Sequence, residues 1–172
     1  STILNAPIEI TGCGRTDAGV HADSYYAHFD FAGTFPKAFP RRLNKFLPAD
    51  IVVYDLIALA DEAHARFDAT YRAYRYHLAL EKDPFRIQTS TLFPFADKTD
   101  PRRVQAAANL LLDYEEFTPF CKTGSDAKTM RCKLFRSEWT FGPREWVYHI
   151  AADRFLRGMV RLCVGMCLNV GM

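Results

Sequence analysis

The spacing of apolar and polar residues divides the chain into short strands and a few helices. Alternation of apolar and polar positions, with β-branched and aromatic residues, predicts strands at residues 7–11, 25–31, 51–57, 70–80, 134–141 and 146–152. Gly142-Pro143 predicts a turn between the last two strands. Within the strand at residues 70–80, Tyr74 and Tyr76 share one face.

Helical spacing of apolar residues is found in three further segments. It predicts helices over residues 40–47, 100–112 and about 155–170, and residues 1–5 resemble the tail of another helix. Asp100 suits the N-cap and Pro101 suits the first helical position. Strands that are partly antiparallel, with helices packed on one side, indicate an α+β fold.

A polar connection at residues 61–68 is the best candidate for a boundary between two parts of the chain. We therefore expect residues 1–60 to form part of a first α/β half, which carries a glycine-rich loop at residues 14–19. Residues 61–172 are expected to form a second α/β half.

Composition places the chain among ordinary globular proteins. Hydrophobic residues make up 49% of the 172 residues and charged residues 24%, which excludes an intrinsically disordered chain. The net charge of +2 argues neither for nor against nucleic acid, because local clustering of charge matters more than the total. No apolar run approaches the roughly 18 residues that a membrane-spanning helix needs.

Five cysteines are present, an odd number without CxxC spacing. This usage predicts reduced thiols and a cytoplasmic location. The five histidines do not cluster with the cysteines, and no motif for a metal or another cofactor is present, so we expect neither.

The loop at residues 14–19 places Asp17 on a glycine-flanked turn, two residues after Arg15. A neighbouring positive charge favours the ionised form of a carboxylate, and an ionised, accessible aspartate can act as a nucleophile. Asp17 can equally be a turn residue that bonds its own backbone.

Aromatic and basic residues suggest contacts with a nucleic acid elsewhere in the chain. Tyr74 lies among arginines and can stack on a base, or it can be a half-buried strand residue. His64 and Arg66 suit contacts with phosphate, or an ordinary polar loop. Basic residues near three phenylalanines, over residues 117–136, could border an RNA groove or form a solvated surface.

Three arginines recur at intervals of three or four residues, at Arg154, Arg157 and Arg161. They lie on or beside the predicted last helix, and this spacing would place them on one face. The face can be solvated, but the helix is otherwise apolar and a charge there needs a partner. Asp17 is a candidate partner.

Together these segments resemble the tRNA pseudouridine synthase A family. The resemblance rests on residues 14–22 (Gly-Arg-Thr-Asp-Ala-Gly-Val-His-Ala), followed in the family's order by three further segments. These are residues 27–29, residues 64–70 leading into 74–76, and Phe155 with Met159-Val160-Arg161 and Val164-Gly165. The resemblance covers nearly the whole chain.

The resemblance implies a role for each matching residue. Asp17 would be the nucleophile that attacks uridine, Tyr74 would lie against the target base, and Arg161 would lie near the catalytic carboxylate. Arg15 would displace or hold the flipped nucleotide. His64 and Arg66 would be lesser RNA contacts.

The implied reaction breaks the N1–C1′ bond of uridine, rotates the uracil and joins C5 to C1′, without a cofactor. Asp17 could attack C1′, attack C6 or deprotonate the sugar. The implied substrate is uridine at positions 38 to 40 in the anticodon stem-loop of tRNA. Members of the family act as homodimers, and their fold has two ferredoxin-like halves around a cleft.

The sequence departs from the family at both ends. The family's Tyr-Asp-Gly strand and its Gly-Trp-Gln motif do not occur, and the family continues beyond the final Val-Gly. We therefore expect a fragment, and an inactive fragment is one alternative to an active enzyme.

A non-catalytic RNA-binding module is a second alternative, although binding alone would not need Asp17. A glycosidase-like hydrolase is a third, but such enzymes generally use two carboxylates, and no second acid accompanies Asp17 in a comparable loop.

Overall fold

The computed structural model describes residues 3–124 and 127–172. It confirms the α+β class, with one small antiparallel sheet, one mixed four-stranded sheet and three α-helices in that part of the chain. The chain divides into two compact units. The first holds the described residues before Thr16 together with Asp23–Asp68, and the second holds Thr16–Ala22 and Ala69–Met172. The predicted helical tail at residues 1–5 lies partly outside the described residues.

The first unit contains two very short strands and one short helix. Strand β1 (Thr11–Gly12) pairs antiparallel with β2 (Ala27–His28). A Cβ on Gly12 would lie 2.3 Å from the hydroxyl of Tyr25, so only glycine allows the tyrosine to lie across β1. That hydroxyl donates a hydrogen bond to the carbonyl of Gly14 and fixes the start of the glycine-rich loop.

Several elements predicted in the first unit are shorter than expected, and one is absent. Helix α1 spans Phe39–Leu43 rather than residues 40–47. Residues 51–57, predicted as a strand, have no strand partner among the described residues. Instead the side-chain amide of Asn44 bonds both backbone groups of Val53, at 2.7 Å each. A β-branched sequence forms a strand only where a neighbouring strand satisfies its backbone.

The second unit is built on a four-stranded sheet in the order β4–β3–β6–β5. Its strands are β3 (Arg72–Ala79), β4 (Thr91–Leu92), β5 (Leu134–Phe141) and β6 (Glu145–Ala152). β6 is antiparallel to both β3 and β5, whereas β4 is parallel to β3. The predicted strands at 70–80, 134–141 and 146–152 and the turn between the last two are confirmed.

Two helices cover one face of this sheet, α2 (Pro101–Leu110) and α3 (Met159–Gly171). The Asp100 side chain accepts a hydrogen bond from the backbone N–H of Arg102 at 2.9 Å, so the predicted N-cap is confirmed. α3 begins at Met159, later than the predicted residue 155. Gly158 has a φ of 72°, a left-handed conformation that separates the preceding residues from the helix.

The core of the second unit lies between the sheet and these helices. Tyr148 and Ile150 of β6 are completely or almost completely buried, and every second residue of β6 from Trp146 onward points the same way. On the helix side Val104, Cys163 and Cys167 are buried. The period-two pattern of β6 therefore sets which face of the sheet the helices cover.

Burial changes the chemistry of three thiols. It raises the pKa of Cys132 to about 11, of Cys163 to about 12 and of Cys167 to about 11. All five cysteines are unpaired, and these three are held as neutral apolar side chains. No helix within the described ranges is long and apolar enough to cross a membrane.

One buried hydrogen-bond chain joins α2 to the sheet. The hydroxyl of Ser137 donates to the carbonyl of Ala108 at 2.7 Å. Since the only proton of that hydroxyl is used there, the hydroxyl of Tyr148, 2.7 Å away, donates to the Ser137 oxygen. Both side chains are buried, so water cannot replace either of these hydrogen bonds.

We predict that Ser137→Ala destabilises the protein more than Tyr148→Phe. The alanine leaves the buried hydroxyl of Tyr148 without its partner, at a cost of about 1–3 kcal/mol, while the carbonyl of Ala108 loses Ser137 but keeps its bond from the backbone N–H of Leu111. The phenylalanine removes one donor while Ser137 keeps its bond to Ala108, at a cost of about 1 kcal/mol. Urea unfolding followed by circular dichroism measures both variants, and the reverse order would contradict this hydrogen-bond assignment.

Candidate active site

The glycine-rich loop forms a tight turn at Asp17. The backbone N–H of Val20 donates to the carbonyl of Asp17 at 3.3 Å, and Gly19 has a φ of 78°. A positive φ at the third position of a four-residue turn is typical of a type II turn and favours glycine there. The turn leaves the side chain of Asp17 44% exposed, so a substrate can reach the carboxylate.

The guanidinium of Arg161 is an ionic partner of Asp17. Nη2 of Arg161 lies 3.5 Å from Oδ2 of Asp17, and both side chains belong to the second unit. The side chain of Arg161 is 49% exposed, so water screens the pair, which contributes at most about 1 kcal/mol to stability. The pair therefore positions the carboxylate more than it stabilises the fold. The partnership expected between Asp17 and Arg161 is present.

The position of Arg161 in α3 explains why it needs an acidic partner. It is the third residue of the helix, and the first turn contains no acidic residue. The exposed N–H groups at a helix N-terminus repel a cation and attract an anion. A carboxylate beside Arg161 compensates its charge at this unfavourable position.

Tyr74 lies in β3, opposite Ile150 of β6, with its ring half-buried. The rings of Tyr74 and Phe155 are in edge-to-face contact, with a centroid distance of 5.1 Å and an interplanar angle of 83°. Phe155 lies between the end of β6 and the start of α3, the helix that carries Arg161. Sequence reasoning gave Phe155 no contact with Tyr74. The available sequence signal for this contact was the position of Phe155 six residues before Arg161.

Arg154 and Arg157 do not share a helical face with Arg161, contrary to the prediction. Both precede α3, because the left-handed Gly158 interrupts the helix. The guanidinium of Arg157 donates to the carbonyls of Thr123 and Gly124, at 3.3 and 2.9 Å. Arg157 is therefore hydrogen-bonded to the loop that contains Thr123 and Gly124.

Three candidate residues, Arg15, His64 and Arg66, lie in the first unit. Arg15 is exposed at the start of the glycine-rich loop. Nδ1 of His64 accepts hydrogen bonds from the backbone N–H groups of Arg66 and Phe67, at 3.1 and 3.3 Å. The guanidinium of Arg66 lies 5.7 Å from the ring centre of Phe67. His64 thus shapes a turn that presents Arg66 and an exposed aromatic ring.

The basic stretch before and within β5 is only partly a free cationic surface. Arg131 forms an ion pair with Glu115, and Arg136 forms one with Glu138. Phe117 is buried in the core, so it cannot border an RNA groove, whereas Phe135 is exposed. Among residues 3–124 and 127–172, no group of three or more His, Cys, Asp or Glu side chains is placed to hold a metal ion.

The geometry supports a site built around the carboxylate of Asp17. Asp17 is accessible, is held by a guanidinium and sits on a turn whose glycine has a positive φ. Such a carboxylate can act as a nucleophile or a base while the guanidinium holds its position.

Comparisons with known proteins identify the family of the chain. Residues 107–172 match a family model described as tRNA pseudouridine synthase. The chain is 42% identical over 171 residues to a tRNA pseudouridine synthase A from Parabacteroides distasonis, covering 98% of this chain and 67% of that protein. It is 43% identical over 176 residues to one from Porphyromonas gingivalis, covering 99% and 69%. A third, from Azobacteroides pseudotrichonymphae, is 40% identical over 172 residues, covering 99% and 68%.

The chain thus spans about two thirds of the length of these relatives. The identity to these relatives is 40–43% and extends across nearly all residues of the chain. The chain belongs to the tRNA pseudouridine synthase A family, a family of isomerases.

Proposed function

We propose that this chain isomerises uridine to pseudouridine in the anticodon stem-loop of tRNA, at positions 38 to 40, with Asp17 as the nucleophile. The observation that carries the proposal is the contact of 3.5 Å between the accessible carboxylate of Asp17 and the guanidinium of Arg161. Family membership indicates the class of reaction. The contact with Arg161 is the reason for choosing Asp17 as the acid that carries it out.

In this proposal Arg161 serves to orient the carboxylate of Asp17. Without a substrate, the half-exposed pair is screened by water. When RNA covers the site and excludes water, the same two charges interact more strongly, because the local dielectric constant falls. The guanidinium then holds the carboxylate in the orientation needed for attack.

Tyr74 is proposed to stack on the uracil after the nucleotide leaves the RNA stack. An enzyme that acts on a base must extrude it into a pocket, and an aromatic ring replaces the lost stacking. Phe155, edge-on to Tyr74, restrains the orientation of that ring. Arg15 is proposed to hold the displaced nucleotide, and His64 and Arg66 to contact the RNA.

The isomerisation balances without an oxidant or a leaving group. The N1–C1′ bond breaks, the uracil rotates, and C5 bonds to C1′. C5 then loses its proton and N1 gains one, so substrate and product have the same composition. A nucleophilic carboxylate that is regenerated at the end is sufficient for such a cycle.

The resemblance to the family also supports proposals about the cellular context. We propose that the full-length protein forms a homodimer in which one tRNA contacts both subunits, and that it acts in the cytoplasm. The five unpaired cysteines are compatible with a reducing compartment.

We predict that Asp17→Asn abolishes the reaction. An anticodon stem-loop with tritium at C5 of uracil releases the label to water when the C5–C1′ bond forms, and we expect release by the wild type. The amide is not an anionic nucleophile, so the rate should fall at least about 10³-fold. Asp113→Asn, at an exposed aspartate in the same unit, is the matched control and should retain the wild-type rate.

The outcomes separate the alternatives. Equal release by wild type and Asp17→Asn would refute Asp17 as the nucleophile. Release of free uracil would identify a hydrolase. RNA binding without release by the wild type would identify a non-catalytic module or an inactive fragment, and the full-length protein would distinguish these two. Stem-loops with a single labelled uridine at position 38, 39 or 40 test the proposed substrate position.

We predict that Arg161→Gln lowers the rate about 10²–10³-fold, because the carboxylate of Asp17 loses the guanidinium that positions it for attack. The free energy of unfolding should change by no more than about 1 kcal/mol, since the pair is half-exposed. Single-turnover rates and urea unfolding measure the two quantities.

Arg103→Gln is the control for Arg161→Gln, because Arg103 is an exposed arginine at the third position of α2. It should leave the rate unchanged. A large loss of stability in Arg161→Gln, or equal rates for the two variants, would contradict the proposed role of Arg161.

A further inference from the structure

A stacked pair of aromatic rings is exposed at one end of the four-stranded sheet. The rings of Tyr71 and Phe135 are nearly parallel, with an interplanar angle of 12° and a centroid distance of 5.7 Å. Tyr71 is 59% exposed and Phe135 is 45% exposed, and neither belongs to the buried core. The ammonium of Lys133 lies 6.0 Å from the ring centre of Phe135. We call these three residues the aromatic platform.

The platform is held by backbone geometry. The pairing of β5 with β6 shifts register between Leu134 and Arg136, so Phe135 sits at a bulge. A bulge redirects a side chain out of the regular alternation of the strand, and bulges are frequent beside active sites. Phe135 is exposed, although the residues on either side of it, Leu134 and Arg136, both pair with residues of β6.

A second set of contacts fixes the three chain segments that meet here. The guanidinium of Arg72 donates to the carbonyls of Ala69 and Asp153, at 2.8 Å each. The carboxylate of Asp153 accepts from the backbone N–H groups of Lys133 and Arg154, at 2.8 and 2.7 Å. These bonds join the start of β3, the end of β6 and the residue before β5. The rings therefore project from chain segments that these hydrogen bonds hold together.

The platform lies close to the candidate active site along the chain. Tyr71 precedes Tyr74 by three residues, which corresponds to about 10 Å along an extended strand. Asp153, which holds the frame, precedes Phe155 by two residues, and Phe155 contacts Tyr74. The odd separation places Tyr71 and Tyr74 on opposite faces of an extended chain, so an RNA whose target base reaches Tyr74 meets Tyr71 by passing around the start of β3.

We propose that the aromatic platform binds an unstacked nucleotide in the segment of the RNA substrate that flanks the target uridine. A base stacks on the exposed ring of Tyr71, and the ammonium of Lys133 contacts the adjoining phosphate. Stacking on aromatic rings and pairing of phosphate with lysine are the two contacts that single-stranded RNA offers regardless of its sequence. The inference rests on the proposed function for the identity of the RNA, and it adds a contact outside the residues that perform the reaction.

The test is the affinity of the chain for a fluorescein-labelled anticodon stem-loop, measured by anisotropy over a range of salt concentrations. Tyr71→Leu and Phe135→Leu keep apolar side chains but remove the stacking surface, and each should weaken binding about tenfold. Lys133→Gln should weaken binding a few-fold and reduce the magnitude of the slope of log K against log salt by about 0.7–0.9.

The chain offers matched controls. Tyr114 is also 59% exposed in the second unit, so Tyr114→Leu removes an equally exposed ring elsewhere and should bind RNA like the wild type. Lys98→Gln removes an exposed lysine beside the short turn Ala96–Lys98 and should leave the salt slope unchanged. Thermal unfolding of every variant separates a loss of contact from a loss of fold.

Tritium release by the same variants separates this inference from the proposed function. Normal RNA affinity and an unchanged salt slope in the platform variants, with release intact, would overturn the inference alone. Platform-dependent binding without release would support the inference while the proposed catalysis fails. A wild-type chain that binds no RNA would overturn both. A change of oligomeric state in Tyr71→Leu with unchanged RNA affinity would assign the platform to a protein contact instead.

Discussion

The double pairing of β6 is the constraint on which the second unit depends. β6 is hydrogen-bonded to β3 on one side and to β5 on the other, so its register sets the positions of both neighbours. Tyr74 is opposite Ile150 because of this register, and Ser137 reaches Tyr148 for the same reason. The chain leaving β6 then supplies Asp153, Phe155 and Arg161 in order. A shift of one residue in β6 would reverse its buried face and displace every one of these side chains.

Sequence reasoning succeeded where local patterns agree with the tertiary environment. The strands at 70–80, 134–141 and 146–152 have partners on the sheet, and the helix after Asp100 has a strong start signal. Residues 51–57 have an equally strong β pattern but no partner strand among the described residues, so propensity alone was misleading. The start of α3 was misplaced because the left-handed conformation of Gly158 is not distinguishable by sequence from an ordinary helical glycine.

The candidate site was predictable to a different degree for each residue. Asp17 and Arg161 were identified together by the resemblance, and a partner for Arg161 was expected because α3 is otherwise apolar. The contact of Phe155 with Tyr74 depends on where the chain turns between β6 and α3, which no spacing rule encodes. The stacking of Tyr71 on Phe135 depends on a bulge in β5, and bulges have no reliable sequence signal. For Arg154 and Arg157 the prediction was wrong. Their regular spacing suggested a helical face shared with Arg161, but both residues precede α3.

The ion pair between Asp17 and Arg161 joins residues about 140 positions apart in the sequence. The turn that carries Asp17 groups with the second unit, although the segments on both sides of it group with the first. Contacts of this separation form late, because the entropy of closing a long loop must be overcome before any interaction energy is gained. The sheet and its helices can therefore fold before the carboxylate arrives. During synthesis on the ribosome, Asp17 is made long before its partner, and a nascent chain has no assembled site until the helix of Arg161 has left the exit tunnel.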